Sequence, residues 1–332
     1  MASYISKMKR HPKAKKQSGR DCDSRPVVGM IGYGSQGRAL TLNLIDSGYR
    51  VLVGLRTRSK SRRRAIEEGV KTVLSPAEAV RQADIVCMAF PDHLHRRVYN
   101  SVIEKNLKPG ATLLFLHGMS IHFGLVCPPV DSDVVLIAPH APGVAVREKF
   151  LTDRSVSAFY AIARDSSGKV RQRLFDLASA MGFQKQRLLK TTFADEAIGD
   201  IFGEQVVLCG GLPALIKNAF EVLVDHGLGP ENAYLEVVYQ LDLIVDLIKR
   251  YGIEGMYRRI SVTARYGSAQ HGPKVVDQAV KKRMERILRD VKSGKFATEL
   301  SELTAPELKR LNRRIKDLSH PDLEKAARKF AP

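Results

Sequence analysis

The pattern of apolar and polar positions changes near residue 190. Before that point, short apolar runs alternate with amphipathic segments, as is typical of strands and helices in a parallel sheet. The predicted strands are residues 27–31, 50–55, 84–90, 112–116 and 134–138. Beyond residue 190 the apolar residues recur with the helical period, and helices are predicted over 192–226, 230–250 and 273–293. We predict an α/β domain over residues 27–190 and an all-helical domain over residues 191–332.

A glycine-rich turn follows the first predicted strand. Residues 32–37 read GYGSQG, a helix opens near Arg38, and a second strand completes the unit. This order is the dinucleotide-binding fingerprint, in which glycines let a pyrophosphate approach the backbone at the start of the helix. A glycine-rich turn without a ligand is the structural alternative. The context favours a Rossmann-type domain that binds a dinucleotide.

The loop after the second predicted strand indicates which dinucleotide binds. Sites that prefer NAD usually place an acidic residue there for the ribose hydroxyls. Residues 55–64 read LRTRSKSRRR, with six cations and no acid. Cations and hydroxyls suit a dianionic 2′-phosphate. We therefore predict NADPH as the cofactor.

Oxygen-bearing side chains at helical spacing suggest a metal site in the helical domain. Asp200 and Glu204 are four residues apart on one predicted helix, and Glu236 and Gln240 have the same spacing on another. Such pairs lie on one helix face, where like charges repel unless a cation or a partner is present. Oxygen ligands suit Mg²⁺. A solvated acidic face is the ordinary alternative, but the apolar residues around Asp200 favour a buried, functional pair.

Loops at the carboxyl ends of the later predicted strands offer further candidates. Residues 91–95 read PDHLH, and residues 139–144 read PHAPGV. The strand over residues 112–116 delivers His117. A histidine at the end of such a strand is a reasonable site residue, and His117 is the best candidate among the nine histidines.

Composition and charge narrow the function classes. Hydrophobic residues make up 44% and charged residues 27% of the chain, which fits a soluble globular protein. No apolar run approaches the length of a membrane span, so we expect no membrane partner. The four cysteines are scattered, and we interpret them as reduced, buried thiols of a cytoplasmic protein.

The net charge of +19 arises partly from residues 1–26, a basic segment that we predict to be a disordered tail. It can contact nucleic acid or an anionic surface, or it can serve only solubility. The other basic clusters are spread out and not interleaved with stacking aromatics. This arrangement argues against nucleic acid as the main partner.

Motifs along most of the chain resemble the ketol-acid reductoisomerase (acetohydroxy acid isomeroreductase) family in its short form. The resemblance runs from Val27 to about Leu300. It rests on GYGSQG at 32–37, GLR-S-S at 54–61, HG-IHF at 117–123, TTF at 191–193, D-FGEQ-VLCGG at 200–211, LIVDL at 243–247, IS-TA-YG at 260–267 and SGKFA at 293–297. So many separated matches leave little room for chance.

The resemblance implies NADPH, two Mg²⁺ ions and a homodimer or higher homo-oligomer whose interlocked helical domains share active sites. The catalytic positions it implies are His117, His140, Asp200, Glu204, Glu236 and Gln240, of which the last four also hold metal. Ser261 and Arg265 fall at the substrate carboxylate. The implied cofactor positions are Gly32, Tyr33, Gly34, Ser35, Gln36, Gly37, Arg56, Ser59, Ser61, Asp92, His93, Leu94, His95 and Gly143.

The family's substrates are 2-hydroxy-2-alkyl-3-oxo acids such as 2-acetolactate, in branched-chain amino acid biosynthesis. Two Mg²⁺ ions polarise the ketone and acidify the hydroxyl, and the alkyl group migrates from C2 to C3. NADPH then delivers a hydride to the new 2-ketone. The product is a 2,3-dihydroxy acid.

Some residues near the implied chemistry depart from the family pattern. Gln240 replaces a metal-site carboxylate, and His140 replaces a lysine. A neutral amide can coordinate a cation but supplies no charge, so one of the two metal sites is expected to be weakened. The other departures are Val144 for a histidine, Ile198 for a polar residue and Arg265 for a glutamate. These changes resemble those of a divergent paralogue.

Three interpretations stay open. The first is a working reductoisomerase. The second is an NADPH-dependent reductase of a 2-oxo acid or related carbonyl that has lost the migration step, because migration needs more metal charge than reduction. The third is a non-catalytic, nucleotide-binding paralogue, against which the intact cofactor loop and the three remaining carboxylates argue.

Overall fold

The structure is a computed structural model that describes residues 25–330. The basic tail predicted over residues 1–26 lies, apart from its last two residues, outside the described residues. The chain divides into two compact units, residues 1–198 and residues 199–332. The first unit contains a β-sheet with its helices, and the described part of the second unit is helical.

An eight-stranded sheet forms the centre of the first unit, with the strand order β3-β2-β1-β4-β5-β6-β7-β8. The strands are β1 (Val28–Ile31), β2 (Val51–Gly54), β3 (Val73–Leu74), β4 (Ile85–Met88), β5 (Thr112–Phe115), β6 (Asp133–Pro139), β7 (Ala158–Arg164) and β8 (Leu188–Lys190). Neighbouring strands are parallel except β6 and β7. The order reverses between β1 and β4, which confirms a Rossmann-type sheet and marks where such sheets bind ligands.

Helices of the first unit connect these strands. They are α1 (Ser35–Asp46), α2 (Lys60–Glu67), α3 (Pro76–Gln82), α4 (His95–Val98), α5 (Met119–His122), α6 (Gly143–Leu151) and α7 (Val170–Met181). The start of α3 is fixed by a capping box. Ser75 Oγ accepts from the Glu78 N–H at 3.3 Å, and the Glu78 carboxylate accepts from the Ser75 N–H at 3.0 Å.

Two apolar clusters cover the two faces of the sheet. Val28 and Met30 pack with Leu40 of α1 in one cluster, whereas Ile31 packs with Val80 of α3 in the other. Successive residues of a strand point to opposite faces, so a strand covered on both sides is apolar throughout. This is why the strands appear in the sequence as continuous apolar runs.

The helices from residue 193 onward are α8 (Phe193–Gly203), α9 (Gly211–Asp225), α10 (Pro230–Tyr234), α11 (Leu241–Tyr257), α12 (Val262–Val275), α13 (Gln278–Lys292), α14 (Lys295–Ser301), α15 (Ala305–Asp317) and α16 (Pro321–Phe330). Two segments of this part of the chain have π-helical hydrogen bonding, Glu204–Leu208 after α8 and Leu235–Tyr239 before α11, as has Tyr99–Ile103 in the first unit. Phe220, Tyr234 and Ala326 form an apolar cluster that packs α9, α10 and α16 together.

Some expected elements differ from those observed. The helix predicted over 273–293 is the end of α12 followed by α13, because Asp277 caps a new helix by accepting from the Val280 N–H at 2.8 Å. Strands β3, β7 and β8 are not among the predicted strands. β3 and β8 have only two and three residues, which is too short for a periodic pattern.

The length of one apolar segment and the burial of two cysteines differ from what the sequence led us to expect. Phe193–Asp225 is a helical run of 33 residues that, by length and composition alone, could cross a membrane, and little of it is buried in the chain. Isolated charges within the run hide its apolar character in the sequence. Among the cysteines of the described residues, Cys87 is buried, but Cys127 and Cys209 are exposed.

Candidate functional site

The glycine-rich turn after β1 lies at the carboxyl edge of the sheet, and packing requires two of its glycines. Gly32 has φ +106°, and a Cβ there would lie 2.2 Å from the carbonyl oxygen of Ala89. A Cβ on Gly37 would lie 2.9 Å from the carbonyl oxygen of Gly32. Only glycine lets the turn pack this closely against the loop after β4.

The same turn leaves room and polar groups for a ligand. Nothing lies within 4 Å of the position that a Cβ on Gly34 would occupy, and Gly34 is the N-cap of α1, with no side-chain cap bond. Gln36 donates from Nε2 to the Ala141 carbonyl at 2.7 Å, and its buried Oε1 has no partner among residues 25–330. Open space, backbone donors at a helix start and an unpaired acceptor fit the pyrophosphate and hydroxyls of a dinucleotide.

The loops after β1 and β6 meet at this turn. Ser35 Oγ accepts from the Gly143 N–H at 3.2 Å. A Cβ on Gly143 would lie 2.0 Å from the Ser35 carbonyl oxygen, so the contact requires glycine. His140, in the same loop, is exposed, and its ring packs edge-on against Phe159 with centroids 4.3 Å apart.

The loop after β2 carries the residues expected at the 2′-phosphate. Arg56 is exposed, and Ser59 and Ser61 are half-buried. Ser59 caps α2, because its Oγ accepts from the Ser61 N–H at 3.3 Å. A serine that accepts in a cap keeps its O–H as a donor. Cations and hydroxyl donors therefore face the solvent where α2 begins.

The loop after β4 is held by a buried histidine. Asp92–Leu94 form a half-buried 3₁₀ turn, and His95 follows at 1% exposure. His95 Nε2 lies 2.9 Å from the Phe90 carbonyl, and Nδ1 lies 2.8 Å from Ser120 Oγ. Because a carbonyl only accepts, Nε2 carries the proton and Nδ1 accepts from the serine. Burial, opposed by Asp92, lowers the pKa of His95, so the ring is neutral at neutral pH.

His117, after β5, contacts a buried carboxylate. Its Nδ1 lies 3.0 Å from Oε2 of Glu196 on α8, and the same oxygen accepts from the Gly118 N–H. Glu196 is only 4% exposed. The carboxylate places the proton of a neutral ring on Nδ1, so Nε2 carries the lone pair. The arrangement is that of an oriented histidine that can exchange a proton.

The first predicted metal pair lies at the end of α8. Asp200 follows Glu196 by four residues, so their carboxylates share a helix face. Glu204 begins the π-helical segment that follows. Both Asp200 and Glu204 are exposed, so the expectation of a buried pair is wrong for the single chain. Their apolar neighbour Ile201 is buried instead, because adjacent helical residues point in different directions.

The second predicted pair lies on the other π-helical segment. Gln240 donates from Nε2 to Glu236 Oε2 at 3.3 Å and to the Leu235 carbonyl at 3.2 Å. The two side chains are neighbours, as their spacing predicts. Ser261 caps α12, accepting from the Ala264 N–H at 3.1 Å. Segments of π-helix frequently mark functional sites.

Comparison with known families matches both halves of the chain. Residues 24–186 match the family described as "Acetohydroxy acid isomeroreductase, NADPH-binding domain". Residues 193–331 match "Ketol-acid reductoisomerase, C-terminal domain". The chain belongs to the ketol-acid reductoisomerase family. The resemblance expected from the motifs is confirmed, and with it an NADPH-binding domain followed by a helical domain.

Individual relatives cover nearly the whole chain. "Ketol-acid reductoisomerase (NADP(+))" of Xanthomonas campestris pv. campestris (strain B100) is 44% identical over 309 residues, 93% of this chain and 92% of that protein. The protein of the same name from Xylella fastidiosa (strain Temecula1 / ATCC 700964) is 41% identical over 94% of this chain and 89% of its own. The solved NADH-preferring ketol-acid reductoisomerase from an uncultured archean has a TM-score of 0.86 at 35% identity, covering 92% of this chain and 95% of that one.

Within this member of the reductoisomerase family, Glu196 is the residue that the sequence interpretation missed. A signal was present, because residues 196, 200 and 204 are acidic at intervals of four, which aligns them along a helix. The departures Gln240, His140 and Arg265 are all exposed. Packing within the chain therefore does not explain them.

Proposed function

We propose that the protein is an NADPH- and Mg²⁺-dependent ketol-acid reductoisomerase that converts 2-acetolactate-type substrates into 2,3-dihydroxy acids. The observation that supports this most is the convergence of the open glycine-rich turn and the His117–Glu196 pair at the carboxyl edge of one sheet. A dinucleotide site and an oriented proton carrier are what a reduction of a carbonyl requires. The names of the relatives agree with this chemistry.

The residues of the first unit fit NADPH. The N-terminal backbone of α1 would hold the pyrophosphate, with Gln36 Oε1 accepting from a ligand hydroxyl. Arg56, Ser59 and Ser61 would hold the 2′-phosphate, and the Asp92–His95 loop and Gly143 would border the dinucleotide. When bound, NADPH supplies the hydride for the reduction.

The oxygen donors of the helical segments fit Mg²⁺. Asp200, Glu204 and Glu236 would hold it through carboxylates, and Gln240 through its amide oxygen. With three charges in place of four, the expected two-ion site has one weaker position. When bound, Mg²⁺ polarises the ketone and acidifies the substrate hydroxyl. Ser261 and Arg265 would hold the substrate carboxylate.

The His117–Glu196 pair would move the proton. Glu196 holds Nδ1–H and fixes the ring, so Nε2 would take the proton of the substrate hydroxyl and return it to the alkoxide that migration leaves on C3. The alkoxide that hydride transfer forms on C2 would take a second proton, which comes from solvent. The buried carboxylate also stabilises the imidazolium formed in between. His140 would donate a hydrogen bond to the substrate.

The experiment is NADPH oxidation by purified protein with Mg²⁺ on two substrates. 2-Acetolactate needs migration before reduction, whereas 3-hydroxy-3-methyl-2-oxobutanoate needs reduction alone. Turnover of both is the expected result. Turnover of the second alone would replace the proposal with a reductase that lacks migration. No turnover with bound NADPH would leave a nucleotide-binding protein.

We also propose a homodimer or higher homo-oligomer with shared active sites, formed through the helical unit. Large apolar side chains are exposed there, including Leu212, Leu215, Leu243, Ile244, Ile248 and Tyr251. Apolar surface of this extent is typical of a face covered by another subunit. It also accounts for the apolar run Phe193–Asp225 without a membrane. Light scattering at micromolar concentration tests it, and a monomer that is active would contradict it.

We propose a cytoplasmic location. The exposed free thiols of Cys127 and Cys209 suit a reducing compartment. Fractionation of cells that express the chain tests this location, and recovery with the membranes would contradict it.

A further inference from the structure

A carboxylate outside the candidate site joins the glycine-rich turn to α2. Glu68, which follows the last residue of α2, accepts hydrogen bonds from the Tyr33 hydroxyl at 2.8 Å and from Arg38 Nε at 2.8 Å. Another Arg38 nitrogen contacts its second oxygen. Tyr33 lies in the turn and Arg38 at the start of α1. One side chain at the end of α2 is therefore fixed to the segment expected to bind the pyrophosphate.

The three side chains are shielded from water. The side chains of Arg38 and Glu68 are 7% and 14% exposed, and Tyr33 is 4% exposed. Burial tends to raise the pKa of Glu68, but the hydrogen bonds from Arg38 and Tyr33 hold it below its usual value. Burial and the bond to Glu68 raise the pKa of Tyr33, which stays protonated. Arg64, on α2 itself, also donates from Nε to Glu68 Oε1 at 3.4 Å. A charged acceptor that takes hydrogen bonds from Tyr33 and Arg38 out of water is a strong contact between α2 and the turn.

Few other contacts hold α2 in place. Ala65 is the one buried residue of this helix. Arg62 donates to the Val73 carbonyl at 3.0 Å, which ties the helix to β3. The six cations over residues 56–64 repel one another at its start. Losing the contacts of Glu68 therefore frees α2 without opening the core of the sheet.

We propose that Glu68 is a positioning residue that sets the preference for NADPH over NADH. It holds α2 so that Ser59 and Ser61, at the other end of the helix, face the 2′-phosphate. This inference rests on the proposed use of NADPH. NADH lacks the 2′-phosphate, so its binding uses the glycine-rich turn and gains nothing from the start of α2.

The test compares the Kd of NADPH and NADH for the full chain, measured by nicotinamide fluorescence. In Glu68→Gln the glutamine keeps the shape and removes the charge. We expect the Kd of NADPH to rise about tenfold and that of NADH no more than about twofold, with kcat at saturating NADPH within about twofold. Glu67→Gln is the matched control, because Glu67 is adjacent and its side chain is 66% exposed. We expect no change in that variant.

Tyr33→Phe provides a second, milder variant, because it removes one donor and leaves the Arg38–Glu68 ion pair. We expect about a threefold rise in the Kd of NADPH alone. An equal rise in the Kd of NADPH and of NADH, or no change in either Kd, would overturn the inference. If Glu68→Gln does not fold, the ratio of the two Kd values in Tyr33→Phe decides whether the inference holds. Wild-type protein that binds neither dinucleotide would overturn the proposed function together with this inference, whereas normal wild-type binding with unchanged ratios would overturn this inference alone.

Discussion

The candidate residues of the sheet unit are mostly held by contacts within the chain, whereas those of the helical unit are exposed. In the sheet unit, Gly32, His95 and Glu196 are held by close backbone contacts or buried hydrogen bonds. In the helical unit, Asp200 and Glu236 are exposed, and so is much apolar surface. One chain therefore fixes the residues proposed to bind the dinucleotide by its own contacts. The proposed metal ligands, by contrast, lie on exposed surface, which the proposed ions and second subunit would cover.

The largest expected effect comes from Gly32→Ala. The new Cβ would have to occupy a position 2.2 Å from the Ala89 carbonyl at φ +106°, so we expect a loss of roughly 3 kcal/mol or more in the free energy of unfolding. Gly34→Ala is the matched control, because its Cβ meets nothing within 4 Å. It should melt like the wild type yet bind NADPH more weakly. Equal melting temperatures for the two variants would show that the turn is not rigid.

Glu196→Gln tests the proposed proton transfer by the His117–Glu196 pair. We expect kcat to fall about 10²- to 10³-fold with little change in the Kd of NADPH, because the neutral amide no longer stabilises the His117 imidazolium. Asp195→Asn, an exposed neighbour on α8, is the control and should retain activity. The assignment fails if steady-state kinetics show a change in KM alone.

Gln240→Glu makes the helical unit more dependent on metal. Without Mg²⁺, a second carboxylate at the position now 3.3 Å from Glu236 Oε2 repels it, and with Mg²⁺ it adds a charged ligand. We expect about tenfold tighter Mg²⁺ binding by calorimetry and faster turnover of 2-acetolactate. The reduction-only substrate is the internal control. An unchanged Mg²⁺ affinity would show that Gln240 does not belong to the metal site.

His95→Gln should have the smallest effect, confined to acid pH. The pKa of His95 is depressed below 6.5 in the folded chain by burial, despite Asp92, so below that pH the unfolded chain takes up a proton that the folded chain resists. Wild-type stability then falls by up to about 1.4 kcal/mol per pH unit more steeply than that of the variant. The measurement is the melting temperature of both proteins between pH 7 and pH 5. An equal pH dependence in the wild type and the variant would contradict this prediction.

The sheet and the glycine-rich turn could be predicted because their physics is local. Strands that are covered on both faces are apolar throughout, so continuous apolar runs predict β1 and β4. The motif GYGSQG at 32–37 predicts the turn. The pairing of Glu196 with His117 joins residues 79 positions apart, and no periodicity encodes such a contact. The same holds for Glu68, whose donors Tyr33 and Arg38 come from another β–α unit.

Exposure was the least predictable property. The apolar neighbours of Asp200 suggested that it is buried, yet these neighbours lie on another face of the helix and Asp200 is exposed. A sequence lists which residues are apolar but does not tell which of them the chain covers itself. Cys127 and Cys209 show the same limit.

Each π-helical segment holds one residue more per turn than the helix around it needs. Removing one residue from Glu204–Leu208 would restore a regular α-helix and keep its hydrogen bonds. It would also rotate all that follows by about 100°, so that Leu212 and Leu215 would leave their present side of the helix. The extra residue therefore sets the angle around the helix axis between the carboxylates before the segment and the apolar side chains after it.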